Sequence, residues 1–286
     1  METTVKAALI SVLSNSVLVI AKLVVGLMIG SVSVISEAIH SANDLLASFI
    51  ALFAVKKASR PADEEHNFGH GKIENVSGTI EAILIFVAAA MIIKEAIHKI
   101  QVGGSVEIIG WGIAVMGASA GINVFVSAYL LKTAQKTGSI ALEADAMHLR
   151  TDVYTSLGVL IGLALIKLTG WSLIDPISAI LVALLIIKAA YDLTRKAFMP
   201  LIDVGLSEKE MAIIVSILKD HEHEYVSYHD LRTRSAGKEI HIDFHLVTRP
   251  EMSVQEVHEI CDRIEEKILT AFPHSTVVIH VEPFIG

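Results

Sequence analysis

Two short segments repeat one chemical pattern. HSAND, residues 40–44, and HLRTD, residues 148–152, each place an imidazole and a carboxylate four residues apart. On a helix that spacing puts both side chains on one face. Each segment lies in or at the mouth of a long apolar stretch, where an ionisable group is costly and marks a functional site by default. Two such helices can bring together His40, Asp44, His148 and Asp152. Two nitrogens and two carboxylates form a tetrahedral set suited to Zn²⁺. The nitrogens disfavour Mn²⁺, which prefers oxygen ligands.

A second group lies in PADEEHNFGHGK, residues 61–72. His66 and His70 suit a metal, with Asp63 as a third ligand, and Gly69 and Gly71 allow a tight path around it. Histidine is also dense after residue 204: eight of the 13 histidines lie there. His241 and His245 have even spacing in EIHIDFH, so on a strand they share a face with Asp243. His280 and Glu282 share a face of the last strand, and His258 falls on a helix.

The elements that must position these residues follow from hydropathy. The chain is 53% hydrophobic and 19% charged, against about 25% charged in soluble domains. A membrane helix needs roughly 20 apolar residues. Six segments qualify, at about 7–30, 32–55, 76–98, 107–131, 140–167 and 173–192, the first two joined by a tight hairpin at Gly30 and Ser31. With six spans, ten Lys and Arg side chains fall on one side, against Lys94, Lys99 and Lys167 on the other. This bias puts both termini in the cytoplasm. The expected boundary divides a membrane domain, 1–204, from a cytoplasmic domain, 205–286, in the order α-β-β-α-β. The second domain holds 15 acidic and eight basic residues, so it carries −7 of the net −8.

Some classes are excluded or disfavoured. Net negative charge argues against nucleic acid. No GxxxxGK[ST] nucleotide motif is present. The single Cys261 cannot form an internal disulfide. A membrane metalloenzyme would need an open coordination position and a general base. A membrane-anchored sensor or structural protein would have no need of the intramembrane residues.

HSANDLLAS, ADAMHLRTDVYTS and HNFGHGKIE together resemble the cation diffusion facilitators, a family of proton-coupled divalent-metal exporters. The resemblance covers almost the whole chain. It implies six transmembrane helices and a ferredoxin-like (metallochaperone-like) cytoplasmic α+β domain, assembled as a homodimer in the inner membrane of a bacterium or archaeon. It makes His40, Asp44, His148 and Asp152 the transport site. Many zinc/iron-type members have Asp where this chain has His40; the two-His, two-Asp set resembles zinc-selective members. The same resemblance implies a loop metal at Asp63, His66 and His70. It nominates His229, His245, His258, His280 and Glu282 as a binuclear cytoplasmic cluster bridging subunits, with Glu282 where relatives often have Asp. It also pairs Lys72 with Asp203 in a salt bridge. The implied function is efflux of Zn²⁺ in exchange for H⁺, with Fe²⁺, Cd²⁺, Mn²⁺, Co²⁺ or Ni²⁺ as alternative cargo, and Zn²⁺ also as a structural or regulatory ion.

Overall fold

A computed structural model describes residues 2–29, 32–102, 110–169, 171 and 173–285. The hairpin expected at Gly30 and Ser31 lies outside the described residues. The chain divides into two compact units, Met1–Phe198 and Met199–Gly286.

The first unit contains α1 (Glu2–Ile29), α2 (Val32–Ala58), α3 (Lys72–Val102), α4 (Gly110–Thr137), α5 (Ile140–Thr169) and α6 (Ile174–Phe198). Four of these, α1, α2, α3 and α6, are long and apolar enough to cross a membrane among the described residues. The expectation of six such spans is therefore corrected. In α5 the apolar run is broken by Glu143, Asp145, Arg150 and Asp152. In α4 it is diluted by Ser119, Asn123, Ser127 and Lys132. Polar side chains of this kind need shielding by neighbouring helices.

Helix α5 receives that shielding because it belongs to both cores of the unit. Ala141, Leu142, Ala146 and Leu149 pack with Ala7, Ala8, Ala54, Val55, Leu130 and Ala134. Ala144 packs with Ala82, Ile85 and Ala89 of α3 and with Ile186, Ala190 and Leu193 of α6. Small residues dominate these seams, so backbones approach closely. A Cβ on Gly78 would meet Ile140 Cγ2 at 2.8 Å, and one on Gly158 would meet Val182 Cγ2 at 2.6 Å. The start of α5 is anchored as well: Ser139 Oγ donates to Glu74 Oε2 at 2.6 Å, and the Ala141 N–H reaches the same oxygen at 3.3 Å. Leu13, Val17, Phe53, Phe125 and Leu185 point outward, as lipid-facing residues do.

The second unit opens with a 3₁₀ turn, Met199–Ile202, followed by α7 (Glu208–Asp220), β1 (Ser227–Ala236), β2 (Glu239–Thr248), α8 (Val254–Ala271) and β3 (Ser275–Pro283). Ser207 and Ser253 each close a capping box with the glutamate three residues on. The sheet order is β1-β2-β3, with β1 antiparallel and β3 parallel to β2. Helix α8 supplies the crossover that a parallel pair requires. A ferredoxin-like unit has β-α-β-β-α-β order. Here the sheet has three strands among the described residues, so the ferredoxin-like expectation is corrected to a small α+β domain. In place of a strand before the first helix stand the 3₁₀ turn and a short link without regular structure.

Alternation along β2 sorts the two faces. Ile242, Phe244 and Leu246 are buried against Ile214, Leu218, Ile260, Ile264 and Ile268 of the helices. Burial of each large side chain contributes about 1.5–3 kcal/mol. The odd-numbered residues, His241, Asp243 and His245 among them, therefore face the side opposite α7 and α8.

Candidate metal centres

The membrane quartet meets between α2 and α5. His148 Nε2 lies 3.2 Å from Asp44 Oδ1, and His40 Nε2 lies 3.7 Å from Asp152 Oδ1. Each histidine thus faces the carboxylate of the other helix. Ligand atoms of His40, Asp44 and Asp152 all fall within 4.8 Å of one another. Burial is graded: side-chain exposure is 7% for Asp44, 11% for His148, 20% for Asp152 and 55% for His40. His148 Nδ1 and Asp152 Oδ2 are buried without a hydrogen-bond partner among the described residues. Unsatisfied buried polar atoms are costly; Asp152, with His40 and Asp44, lines a cavity of about 160 Å³. Asn15, Lys22, Ser41, Ser119 and Asn123 line the same cavity.

A polar chain that the spacing argument did not reveal supports the quartet. Ser48 Oγ donates to Asp145 Oδ1 at 2.9 Å and receives Asn15 Nδ2 at 2.7 Å, while Ser11 Oγ lies 2.9 Å from Ser48 Oγ. Ser48 is one turn from Asp44, and Asp145 is one turn from His148. The chain ties α1, α2 and α5 at the level of the ligands. Its sequence signal is only a set of scattered Ser and Asn residues. Lys22 donates to Ser41 Oγ at 2.8 Å. Glu81 is buried and accepts from Ser77 Oγ at 3.3 Å.

The loop group also assembles. Asp63 Oδ2 lies 3.3 Å from His70 Nε2, and Asp63 Oδ1 lies 3.4 Å from His66 Nδ1. Gly69, at φ 77°, supplies the left-handed turn that brings His70 back. The His70 ring is buried and donates Nδ1–H to the Pro61 carbonyl at 3.2 Å. In the neutral ring the lone pair then sits on Nε2, facing the Asp63 carboxylate. Two acceptors facing each other need a cation or a proton between them. The His66 N–H donates to Asp63 Oδ1 at 2.7 Å, and this bond holds the Asp63 carboxyl below its usual range against a smaller opposing effect of desolvation.

In the second unit, strand register completes what spacing began. His229 pairs with His245, and His245 pairs with His280. Three imidazoles therefore form one row across all three strands, with ring centroids 4.9 and 4.8 Å apart. Glu282 reaches the row: its carboxylate lies 3.0 Å from His245 Nδ1, 3.5 Å from His229 Nε2 and 3.7 Å from His280 Nε2. His258 is not brought to this row. It is exposed on α8, in the opposite layer, 3.6 Å from Asp262. Lys72 opens α3, and Asp203 lies 3.6 Å from Arg234.

Two family models match in tandem: the cation efflux transmembrane domain over residues 8–202 and the cation efflux protein cytoplasmic domain over residues 206–284. The chain belongs to the cation diffusion facilitator family. It is 36% identical to an uncharacterised transporter of Synechocystis, over 89% of this chain and 82% of that one. It is 30% identical to protein p34 of Rickettsia prowazekii, over 96% and 91% of the two chains. It is 31% identical to the cation-efflux pump FieF of Shewanella oneidensis, over 96% and 92%. Membership makes this a secondary transporter of divalent metal and not an enzyme. It is an inner-membrane, multi-pass, homodimeric protein that binds metal ions.

Proposed function

We propose that this transporter expels Zn²⁺ from the cytoplasm in exchange for H⁺, through a site made of His40, Asp44, His148 and Asp152. The observation that carries this reading is the crossed pairing of His40 with Asp152 and of His148 with Asp44. Two nitrogen and two oxygen donors form crossed pairs between α2 and α5, with His40, Asp44 and Asp152 beside a small cavity, and zinc takes a tetrahedral set of this kind. The same groups serve as proton carriers, since Asp, Glu and His inside membrane proteins form proton relays. Metal and proton therefore compete for one site. Alternating exposure of that site to the two sides couples their opposite movements. The unequal exposure of the two histidines supports a site closed on the His148 side and reached past His40.

In this reading residues 1–204 carry the cargo and residues 205–286 form the regulatory and dimerising domain. Both termini face the cytoplasm, on the side that holds Lys56, Lys57, Arg195 and Lys196 at helix ends. Asp63, His66 and His70 bind a second metal. His229, His245, His280 and Glu282 bind further metal in the cytoplasmic unit, and His258 joins them only if it reaches the row of a partner subunit.

The test is metal uptake into inside-out vesicles with an imposed pH gradient, run metal by metal. Zinc accumulation should rise when the vesicle lumen is acid and collapse when the gradient is dissipated. Uptake indifferent to the gradient would remove proton coupling. Faster uptake of Fe²⁺, Cd²⁺, Co²⁺ or Ni²⁺ than of Zn²⁺ would reassign the cargo.

A further inference from the structure

The cavity beside the quartet contains a cation that the transport reading leaves unused. Lys22 of α1 is 6% exposed, and its ammonium donates to Ser41 Oγ at 2.8 Å. Ser41 directly follows His40 on α2. Lys22 lines the same cavity as His40, Asp44 and Asp152, while Ser119 and Asn123 of α4 give it neutral walls. An ammonium is kept inside a membrane protein only where opposite charge or a polar cavity holds it. The acidic residues that line this cavity with Lys22 are Asp44 and Asp152. A lysine stem is also long and flexible, so its head can shift while its root stays packed.

We propose that Lys22 is a tethered competitor for the transport site. Its ammonium balances the Asp44 and Asp152 carboxylates when the site holds no metal. A divalent ion that enters meets both the attraction of the carboxylates and the repulsion of the ammonium. Metal binding is weaker than the four ligands alone would make it, and release is correspondingly faster. The same device excludes monovalent ions. They gain half the attraction that a divalent ion gains from the carboxylates, and cannot displace a tethered positive charge. This inference rests on reading the quartet as the transport site.

Zinc uptake by full-length protein in vesicles tests it, with KM and maximal rate measured separately for Lys22→Met, Lys22→Gln and Lys22→Arg, with and without added potassium. Lys22→Met removes charge and hydrogen bond together, whereas Lys22→Gln keeps a donor toward Ser41. Both should lower KM about tenfold, lower the maximal rate and become sensitive to potassium. Lys22→Arg, which retains the charge, should keep a KM within about threefold of the native value. An unchanged or raised KM in Lys22→Met and Lys22→Gln overturns the proposal. So does a failure of Lys22→Arg to insert and dimerise alongside Lys22→Met, since Lys22 would then be a structural strut. Asp152→Ala in the same assay separates the two readings: native flux there defeats the transport site itself, whatever the Lys22 variants do.

Discussion

Asp44 and Asp152 carry the same charge in different settings. Asp44 is buried against His148, while Asp152 keeps one oxygen without a partner among the described residues and faces the cavity. Either loss removes an anionic ligand that water does not replace. Removing even a residue that merely orients a ligand costs roughly 10–100-fold in metal affinity or activity. Asp44→Ala and Asp152→Ala should therefore each reduce zinc flux by at least about 100-fold. Vesicle uptake by a folded dimer is the measurement, and near-native flux in Asp152→Ala would defeat the assignment. His40 is a different case because it is the most exposed of the four. His40→Asp exchanges a borderline nitrogen for a hard oxygen and adds a negative charge. Competition assays should then show wider use of Cd²⁺ or Mn²⁺. An identical metal ranking in both proteins would place selectivity in the surrounding helices.

At the scale of elements, α5 depends on close backbone approach. Gly158 leaves no space for a methyl group beside Val182. Gly158→Ala should destabilise the membrane unit by about 1–3 kcal/mol, the usual cost of overpacking. Val182→Ala made in the same chain should recover most of the loss, because it removes the opposing methyl groups. Thermal unfolding of the single and double variants checks this, and equal losses in both would show that packing against Val182 is not the cause. In the second unit, Glu224 joins the turn after α7 to α8 through Arg263 and His221. Arg263 and then His221 hold the Glu224 carboxyl below its usual value. A depressed carboxyl contributes stability above its unfolded pKa, and that stability is lost as pH falls through the folded value. Arg263 is about half exposed, so solvent screening keeps the contribution of the pair small. Glu224→Gln should weaken amide protection in α8 at neutral pH, and the difference from the native chain should shrink as pH drops below 4.5, the ordinary Glu value. A difference that stays constant down to acid pH would assign the effect to packing.

At the scale of the whole molecule, each cytoplasmic domain carries 15 acidic and eight basic residues, a formal −7. Two such surfaces in a homodimer repel, and bound divalent metal reduces that repulsion. The row of His229, His245 and His280 with Glu282 lies on the face of the sheet opposite α7 and α8. Spin labels on the two cytoplasmic domains of the full dimer should move closer when zinc is added. Glu282→Ala should abolish that movement while leaving flux through the membrane quartet, although the dependence of flux on cytoplasmic zinc should change. Equal distances with and without zinc, in protein shown to hold zinc at the row, would make the row a static staple.

Hydropathy and periodicity determined the helical membrane unit, the α-β-β-α-β order after it and the pairing of imidazole with carboxylate at four-residue spacing. These are local properties, since a side chain's face follows from helix or strand geometry within one or two turns. Distances between elements are not local. The crossed order of the quartet depends on how α2 and α5 face each other, and nothing within either segment specifies that. Register, which sequence spacing leaves open, set His229, His245 and His280 in one row, and the same sheet put His258 in the other layer. Four apolar spans among the described residues, where six were expected, follow from a related cause. Overall apolarity counted α5 as a span, yet its charges break the apolar run, and they rest on neighbouring helices: Asp145 is sheltered by Ser48 across the helix seam, and Ser48 in turn by Ser11 and Asn15. The three-stranded sheet was likewise decided by packing, because the number of strands that close over two helices depends on which backbone edges find partners.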